Sequence, residues 1–362
     1  MIDKKVILKT SESLIMWKNF LYQIGIFFRR LSKLIWWLIT FQIHKKIIDR
    51  WFSYTNDIEN KGNEKCLKFP FEFFNGGLKS TSKIAVVCHV YYPDLLGEIL
   101  DFLKNIPYQY DLFITTNTAE KCELITRYLL SDQLEKFEVR VIENRGRDIA
   151  PKLVACSDIY IKYEFFLHLH TKKSPHARKL SGWRSYLLKT LLGSREIVES
   201  VFDAFEADPK LGIVAPQHFY PLGRAIGWGE NDNYIKVLLQ RLKIDKKNLD
   251  KIDFPSGSMF WGRSAALFPL ININLTLDDF QNEHGQLDGT MAHAIERLFF
   301  YVCEKAGYHW IKMAVEPFNT EYSEGATPVK VNDDILSKIL LTQYHLLGVD
   351  FHTAREYESK MH

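Results

Sequence analysis

Two short runs combine cations, imidazoles and a carboxylate at close spacing: Asn144, Arg145, Arg147 and Asp148 in NRGRDIAP, and His168, His170, Lys172 and Lys173 in HLHTKKS. Lys and Arg neutralise phosphate charge, and Arg can bind it through two parallel hydrogen bonds, so such a set suits a diphosphate. The chain has neither GxxxxGK[ST] nor GxGxxG, so it lacks the fingerprints of nucleoside triphosphatases and dinucleotide enzymes. His168 and His170 alternate along a strand and share a side, which allows joint ligation of a borderline metal. Taken singly, Arg147 and Asp148 also read as an ion pair, Lys172 and Lys173 as a solvated turn, and a strand histidine as a satisfied core residue.

Two further segments carry chemistry. In FPSGSMFWGR, Phe254 to Arg263, Gly257 permits backbone conformations and a close approach that a side chain would block. Its aromatics, Phe260 and Trp261, either stack on a ligand ring or belong to the core of a strand-to-helix turn, and Met259 is assigned to the core. Asp288-Gly-Thr reads as a helix start with Asp288 at the N-cap or in the first turn. His293 and Glu296 are spaced to support that helix or pair with Arg297.

The elements that must position these groups alternate. KIAVVCHVYY, YDLFITT and FEVRVIE read as strands, with helices DLLGEILDFLKNI and EKCELITRYLL between them. This βαβαβ opening implies a mostly parallel sheet with helices on both faces and its ligand edge at the strand C-termini. YEFFLHLHTKKS and LGIVAPQ read as further strands, the stretch from Trp183 to Phe205 as helical, and the residues after Asp288 as a long helix. The domain expectations are an N-terminal amphipathic helical segment over 1–55, a linker with a short strand or aromatic plug over 56–82, the main domain over 83–330, and a helical tail over 331–362.

Charge sharpens this division. Net charge is +3 for 362 residues, but residues 1–60 hold ten Lys/Arg against five Asp/Glu, a balance of +5 that leaves −2 for the rest. A nucleic-acid surface needs a basic face on the folded body, so no nucleic-acid partner is expected. Between Leu14 and Phe52, apolar and aromatic residues alternate with cations, and Lys18, Arg29, Arg30, Lys33, Thr40 and His44 share a helical sector at about 100° per residue. Ile26 and Trp37 intrude on it. No run reaches the ~18 apolar residues of a membrane span, and no secretory cleavage pattern follows. Trp with Lys/Arg suits a headgroup boundary, so the segment lies either in the plane of a membrane surface or against a protein partner. Five cysteines without a CxxC pair fit reduced thiols in a cytosolic protein.

The run from about Lys83 to Met313 resembles the rhamnan synthesis F family, bacterial glycosyltransferases of rhamnose-containing cell-wall, capsule and O-antigen polysaccharides. The matching segments are NRGRDIAP, HLHTKKS, FPSGSMFWGR and DGTMAHAIERL, in that order. The resemblance implies a GT-A-like α/β fold and inverting transfer from a nucleotide sugar, dTDP-L-rhamnose above others, to a lipid-linked oligosaccharide or polysaccharide. The enzyme would then sit peripherally on the inner face of the cytoplasmic membrane.

It also implies site roles. Asn144, Arg145, Arg147, Asp148, His168, His170, Lys172 and Lys173 fall on the donor side, with Gly257, Ser258, Trp261 and Arg263 on the acceptor side. Asp288, or Glu283 in its place, is the catalytic base. HLH stands where GT-A enzymes carry the acidic DxD that holds Mg²⁺ or Mn²⁺, so metal dependence stays open between ligation by His168 and His170 and neutralisation by Lys172, Lys173 and Arg147. Two other classes remain: a non-catalytic glycan-binding or scaffold subunit of a membrane polysaccharide-assembly complex, and a metal-dependent phosphoryl-transfer enzyme.

Overall fold

The structure is a computed structural model that describes residues 64–72, 78, 82–132, 134, 136–171, 180, 182–219, 221–222, 226–245, 249, 252–315 and 326–329. The expected N-terminal segment 1–55 and tail 331–362 lie outside the described residues, as do Lys172 and Lys173. The strands are β1 (Glu64–Phe69), β2 (Ile84–His89), β3 (Tyr110–Thr116), β4 (Phe137–Val141), β5 (Phe165–His170), β6 (Leu211–Pro216), β7 (Phe260–Arg263), β8 (His309–Val315) and β9 (Ala326–Val329). The helices that bear on the site are α1 (Leu96–Leu103), α2 (Ala119–Ser131), α3 (Ile149–Leu153), α4 (Ile159–Lys162), α5 (Trp183–Leu192), α6 (Arg195–Ala207), α7 (Asp232–Leu242), α8 (Phe268–Ile271) and α9 (Met291–Lys305).

One sheet collects all nine described strands in the order β4-β3-β2-β5-β7-β6-β8-β1-β9. Every pairing is parallel except those of β7, which runs against both β5 and β6. The α/β architecture with a mostly parallel sheet is therefore as expected. Strands β2, β5 and β6 are buried at every position, the mark of a sheet covered on both faces. On one face Val86, Cys88, Leu167 and Val214 join a core with residues of α1, α5 and α6; on the other, Phe166, Ile213 and Ala215 pack with α7, α8 and α9. Apolar spacing explains the helices: in α6, Ile197, Val201 and Phe205 recur every fourth residue and are buried, and Ser194 caps the first turn by accepting from the Ile197 N–H.

Three elements depart from the expectations. The linker stretch does hold a strand, but β1 pairs with β8 inside the main sheet, so at least Glu64–Phe69 belongs to the body rather than to a connector. The Trp183–Phe205 helix is two helices, broken at Gly193 and Ser194, because the Ser194 cap starts a new one. FPSGSMFWGR contains the strand β7 rather than only a turn into a helix, and β8 was not read at all. β7, FWGR, is too short to show a periodicity that tells strand from helix, and Lys312 interrupts the apolar run of β8.

Candidate functional site

All strands but β7 run the same way, so the loops after β4, β5 and β6 open at one edge of the sheet. Because β7 is reversed, the loop before it opens there too. That edge gathers Arg147 and Asp148, His170 and Thr171, and Ser256 to Ser258 from three distant parts of the chain.

Asp148 is the centre. Its Oδ2 accepts from Lys152 Nζ and from Ser258 Oγ, each at 2.8 Å, and stands 3.9 Å from His170 Nε2. Burial pushes this carboxyl up, but the charges of His170 and Lys152 and the hydrogen bonds from Lys152 and Ser258 outweigh it and hold it well below the usual range. Lys152, fully buried, also donates to the Ser258 carbonyl at 2.9 Å. His170 Nε2 lies 2.8 Å from the Gly257 carbonyl, which can only accept, so this nitrogen carries the proton. The Gly257 N–H in turn donates to Glu296 at 2.7 Å.

The backbone here is unusual. Gly146, Arg147, Gly257 and Ser258 all have positive φ, at 65°, 56°, 86° and 49°. A Cβ on Gly257 would meet Leu187 at 2.9 Å and Trp183 at 3.1 Å, so both the conformation and the close approach require glycine. Arg147 and Ser258 hold the left-handed region without that freedom, an arrangement that costs roughly 1–3 kcal/mol each and concentrates at functional sites.

Around this centre the remaining expected residues separate. The Arg147 N–H donates to Glu283 at 3.0 Å, its guanidinium reaches the Gln286 carbonyl, and its buried Nε has no hydrogen-bond partner among the described residues. Arg145 turns away to Asp278 and Glu143, at 3.1 and 3.8 Å. Asn144 stays half-buried beside it.

Asp288 is not the N-cap; Thr290 is, accepting from the His293 N–H. The Asp288 carboxylate takes the Glu230 N–H at 3.0 Å, Asn231 Nδ2 at 2.8 Å and the Arg297 guanidinium at 3.2 Å. Burial raises its pKa, but Asn231, the backbone donors and Arg297 together bring it below the usual carboxylate value. Both oxygens are occupied, which makes Asp288 an anchor of the loop before α9.

Three assignments are corrected outright. His168 is sealed among Phe166, Phe260 and Phe299, with Nε2 on the Tyr160 hydroxyl at 2.6 Å, and burial holds it neutral. It shares a side with His170 but ends in the core, so the pair does not converge on a metal. Trp261 is wholly buried against Phe202, its Nε1 donating to the Leu191 carbonyl, with no face left for a ligand. Arg263 lies at the opposite edge, bonded to Glu164 and the Phe205 carbonyl, because β7 carries it away from the site. Among the described residues no group of three His, Cys, Asp or Glu is placed to hold a metal ion. His170, with its Nε2 proton on a carbonyl, does not fit a ligand role through that nitrogen.

Sequence reasoning missed several neighbours. His89, in register between Thr115 and His170, bonds Thr115 Oγ1 at 3.0 Å, and burial lowers its pKa to about 4. Lys121 bridges the Tyr91 carbonyl and Asn117 at the next loop. Lys152 could have been found from its helical i,i+4 spacing to Asp148. On the far side of the loop, His218 joins Ser256 and Asp253, at 3.0 Å each, and Lys312 Nζ lies 2.5 Å from Asp253.

Several known proteins are similar to this chain. Two uncharacterized proteins called WxcX, from Xanthomonas campestris pv. campestris strains B100 and ATCC 33913, are each 37% identical over 225 residues, 62% of this chain and 32% of theirs. The chain thus spans about a third of the length of those relatives. Among solved structures, the mannosyltransferase PcManGT from Pyrobaculum calidifontis, in complex with GDP-Man and Mn2+, is 14% identical with a TM-score of 0.38, covering 74% of this chain and 64% of that one. TarS 1-349 of S. aureus in complex with UDP is 12% identical with a TM-score of 0.35, covering 75% and 68%. The family model described as rhamnan synthesis protein F matches residues 71–308, which contain every loop of the Asp148 cluster, and the chain belongs to that family.

Proposed function

We propose that this chain is a polysaccharide glycosyltransferase of GT-A-like fold that moves a sugar, L-rhamnose from dTDP-L-rhamnose above others, with inversion onto a lipid-linked cell-surface glycan. The observation that carries this reading is the convergence of NRGRD, the end of HLHT and PSGS at one sheet edge, around a single buried carboxylate. Ligands of parallel α/β sheets bind at that edge, and membership of the rhamnan synthesis protein F family supports the reaction class.

In this reading Arg147, a partly exposed cation 3.9 Å from Glu283, meets the donor diphosphate together with Lys172 and Lys173, with Asn144 and Arg145 at the rim. Asp148 holds Lys152, Ser258 and the strained turn in place rather than reacting. Gly257 and Ser258 form the acceptor side, while Asp288 and Glu283 fix the loop that covers Arg147. Diphosphate charge is met by side-chain cations. The basic segment 1–55, with a balance of +7, is read as the contact with the inner membrane surface; among the described residues no helix is long and apolar enough to cross a membrane.

The test is release of dTDP from dTDP-L-rhamnose on adding a rhamnan oligosaccharide or lipid-linked acceptor, together with a thermal-shift screen of nucleotide sugars with and without Mg²⁺ or Mn²⁺. Acceptor-dependent dTDP release is expected, with a stabilising shift that survives metal chelation. Phosphate release without sugar transfer, or the absence of binding to every nucleotide sugar screened, would remove this reading. Recovery of the full chain with anionic liposomes, lost in a chain starting near Gly62, is the expected result for the membrane contact.

A further inference from the structure

Inverting transfer needs a group to take the proton from the acceptor hydroxyl, and with Asp288 occupied by three donors that group must be sought elsewhere. On α9, Glu296 reaches the site by accepting from the Gly257 N–H. His293 lies three residues earlier, on the same face of the same helix. The residue is more than nine-tenths buried, Nδ1 is 2.8 Å from the Thr290 hydroxyl, and no hydrogen bond to Nε2 is found among the described residues.

We infer that His293 is the proton acceptor of the transfer, its Nδ1–H donating to Thr290 Oγ1 so that the Nε2 lone pair faces the acceptor sugar. The inference rests on the glycosyltransferase reading. The acceptor oxygen would attack the anomeric carbon, the bond from that carbon to the diphosphate would break with its electrons leaving on phosphate, and the hydroxyl proton would pass to Nε2. Burial, and then the nearby Arg147 charge, lower the His293 pKa to about 4, against the opposing effect of Asp288 and Asp148 and with Arg297 adding to the lowering. The imidazole therefore rests neutral across the physiological range, with its lone pair unprotonated, and is a weak base there. Arg297 ties the arrangement together by donating to the His293 carbonyl at 3.0 Å while pairing with Asp288.

The experiment compares the wild-type full chain with His293→Gln and His293→Ala, using dTDP-L-rhamnose and a rhamnan oligosaccharide. The expected result is a loss in kcat of at least about 10²-fold, donor KM within about threefold, and partial recovery of the alanine variant by added imidazole. Transfer by His293→Gln within about threefold of wild type overturns the base while leaving the glycosyltransferase reading intact. Transfer by no form of the chain, wild type included, overturns both. Independently of any donor, nitrogen chemical shifts of the imidazole at pH 7 should report an unprotonated Nε2; a protonated Nε2 overturns the assignment.

Discussion

Two buried clusters flank the loop from Asp253 to Ser258, and each is built from one Asp, one Lys, one His and one Ser. Asp148, Lys152, His170 and Ser258 form the first; Asp253, Lys312, His218 and Ser256 form the second. They are wired differently. In the second, the imidazole is consumed internally, bonded to both the carboxylate and the hydroxyl at 3.0 Å, and none of the four residues has positive φ. In the first, the imidazole stands 3.9 Å from the carboxylate and gives its proton to a backbone carbonyl, and one of the four, Ser258, sits in the left-handed region, as does Arg147 next to Asp148. The same four chemistries make a closed rivet on one side and a strained cradle on the other. Residue type alone therefore says less about function than how completely a cluster satisfies itself.

The largest expected effect is on the two lysines. Lys152→Met leaves Asp148 without its 2.8 Å ionic hydrogen bond and should cost about 3–5 kcal/mol in guanidinium unfolding. Lys312→Met should cost less, because Asp253 keeps a direct bond to His218 that can take up the charge. Equal losses would break the contrast between the clusters.

Acid should separate them next. Burial raises the Asp253 pKa, but Lys312 and His218 outweigh it and bring it to about 2. A carboxylate depressed in the folded state contributes stability that is present above its unfolded pKa near 4 and lost as pH falls towards 2, here on the order of 2 kcal/mol. The stability gap between wild type and Asp253→Asn should narrow over that window. A gap constant down to pH 2 would move the depression elsewhere.

Smaller effects follow for the hydroxyls. Ser258→Ala removes a hydrogen bond to a charged acceptor, worth about 1.5–3 kcal/mol, whereas Ser256→Ala removes one to an imidazole, worth about 0.5–1.5 kcal/mol. Only the first should also lower donor affinity in thermal-shift titrations. Smallest of all, His168→Leu should change stability by at most about 1.5 kcal/mol and leave nucleotide-sugar binding and its metal response untouched. Loss of a metal response in that variant would restore His168 to the site.

Much of the fold was legible because its signals are local. The βαβαβ opening follows from alternating apolar strands and capped amphipathic helices, and NRGRD and PSGS stand out as polar or small-residue runs at element ends. What escaped depends on distant partners. Strand β1 looks like a linker until β8 is placed beside it, and nothing within FWGR signals that β7 runs antiparallel. That reversal is why Trp261 and Arg263 were misassigned: one is turned into the core and the other carried to the far edge. His168 and His170 differ only in depth along β5, which alternation cannot report. Lys152 and Lys312 each look like surface lysines until their buried carboxylates are known.

The reversed β7 has a kinetic consequence. It delivers PSGS to an edge whose other loops lie far away in the chain, so the bonds that close the cluster span 110 residues from Asp148 to Ser258, 106 from Lys152 and 87 from His170 to Gly257. Contacts of such separation require long loops to close and form slowly, while the strained turns at Arg147 and Ser258 gain nothing until those contacts exist. The cradle should thus be among the last parts of the molecule to assemble, and amide exchange at Gly257 should exceed that in the centre of β2 and β5, so that the chain carries a nearly complete scaffold before it carries a site.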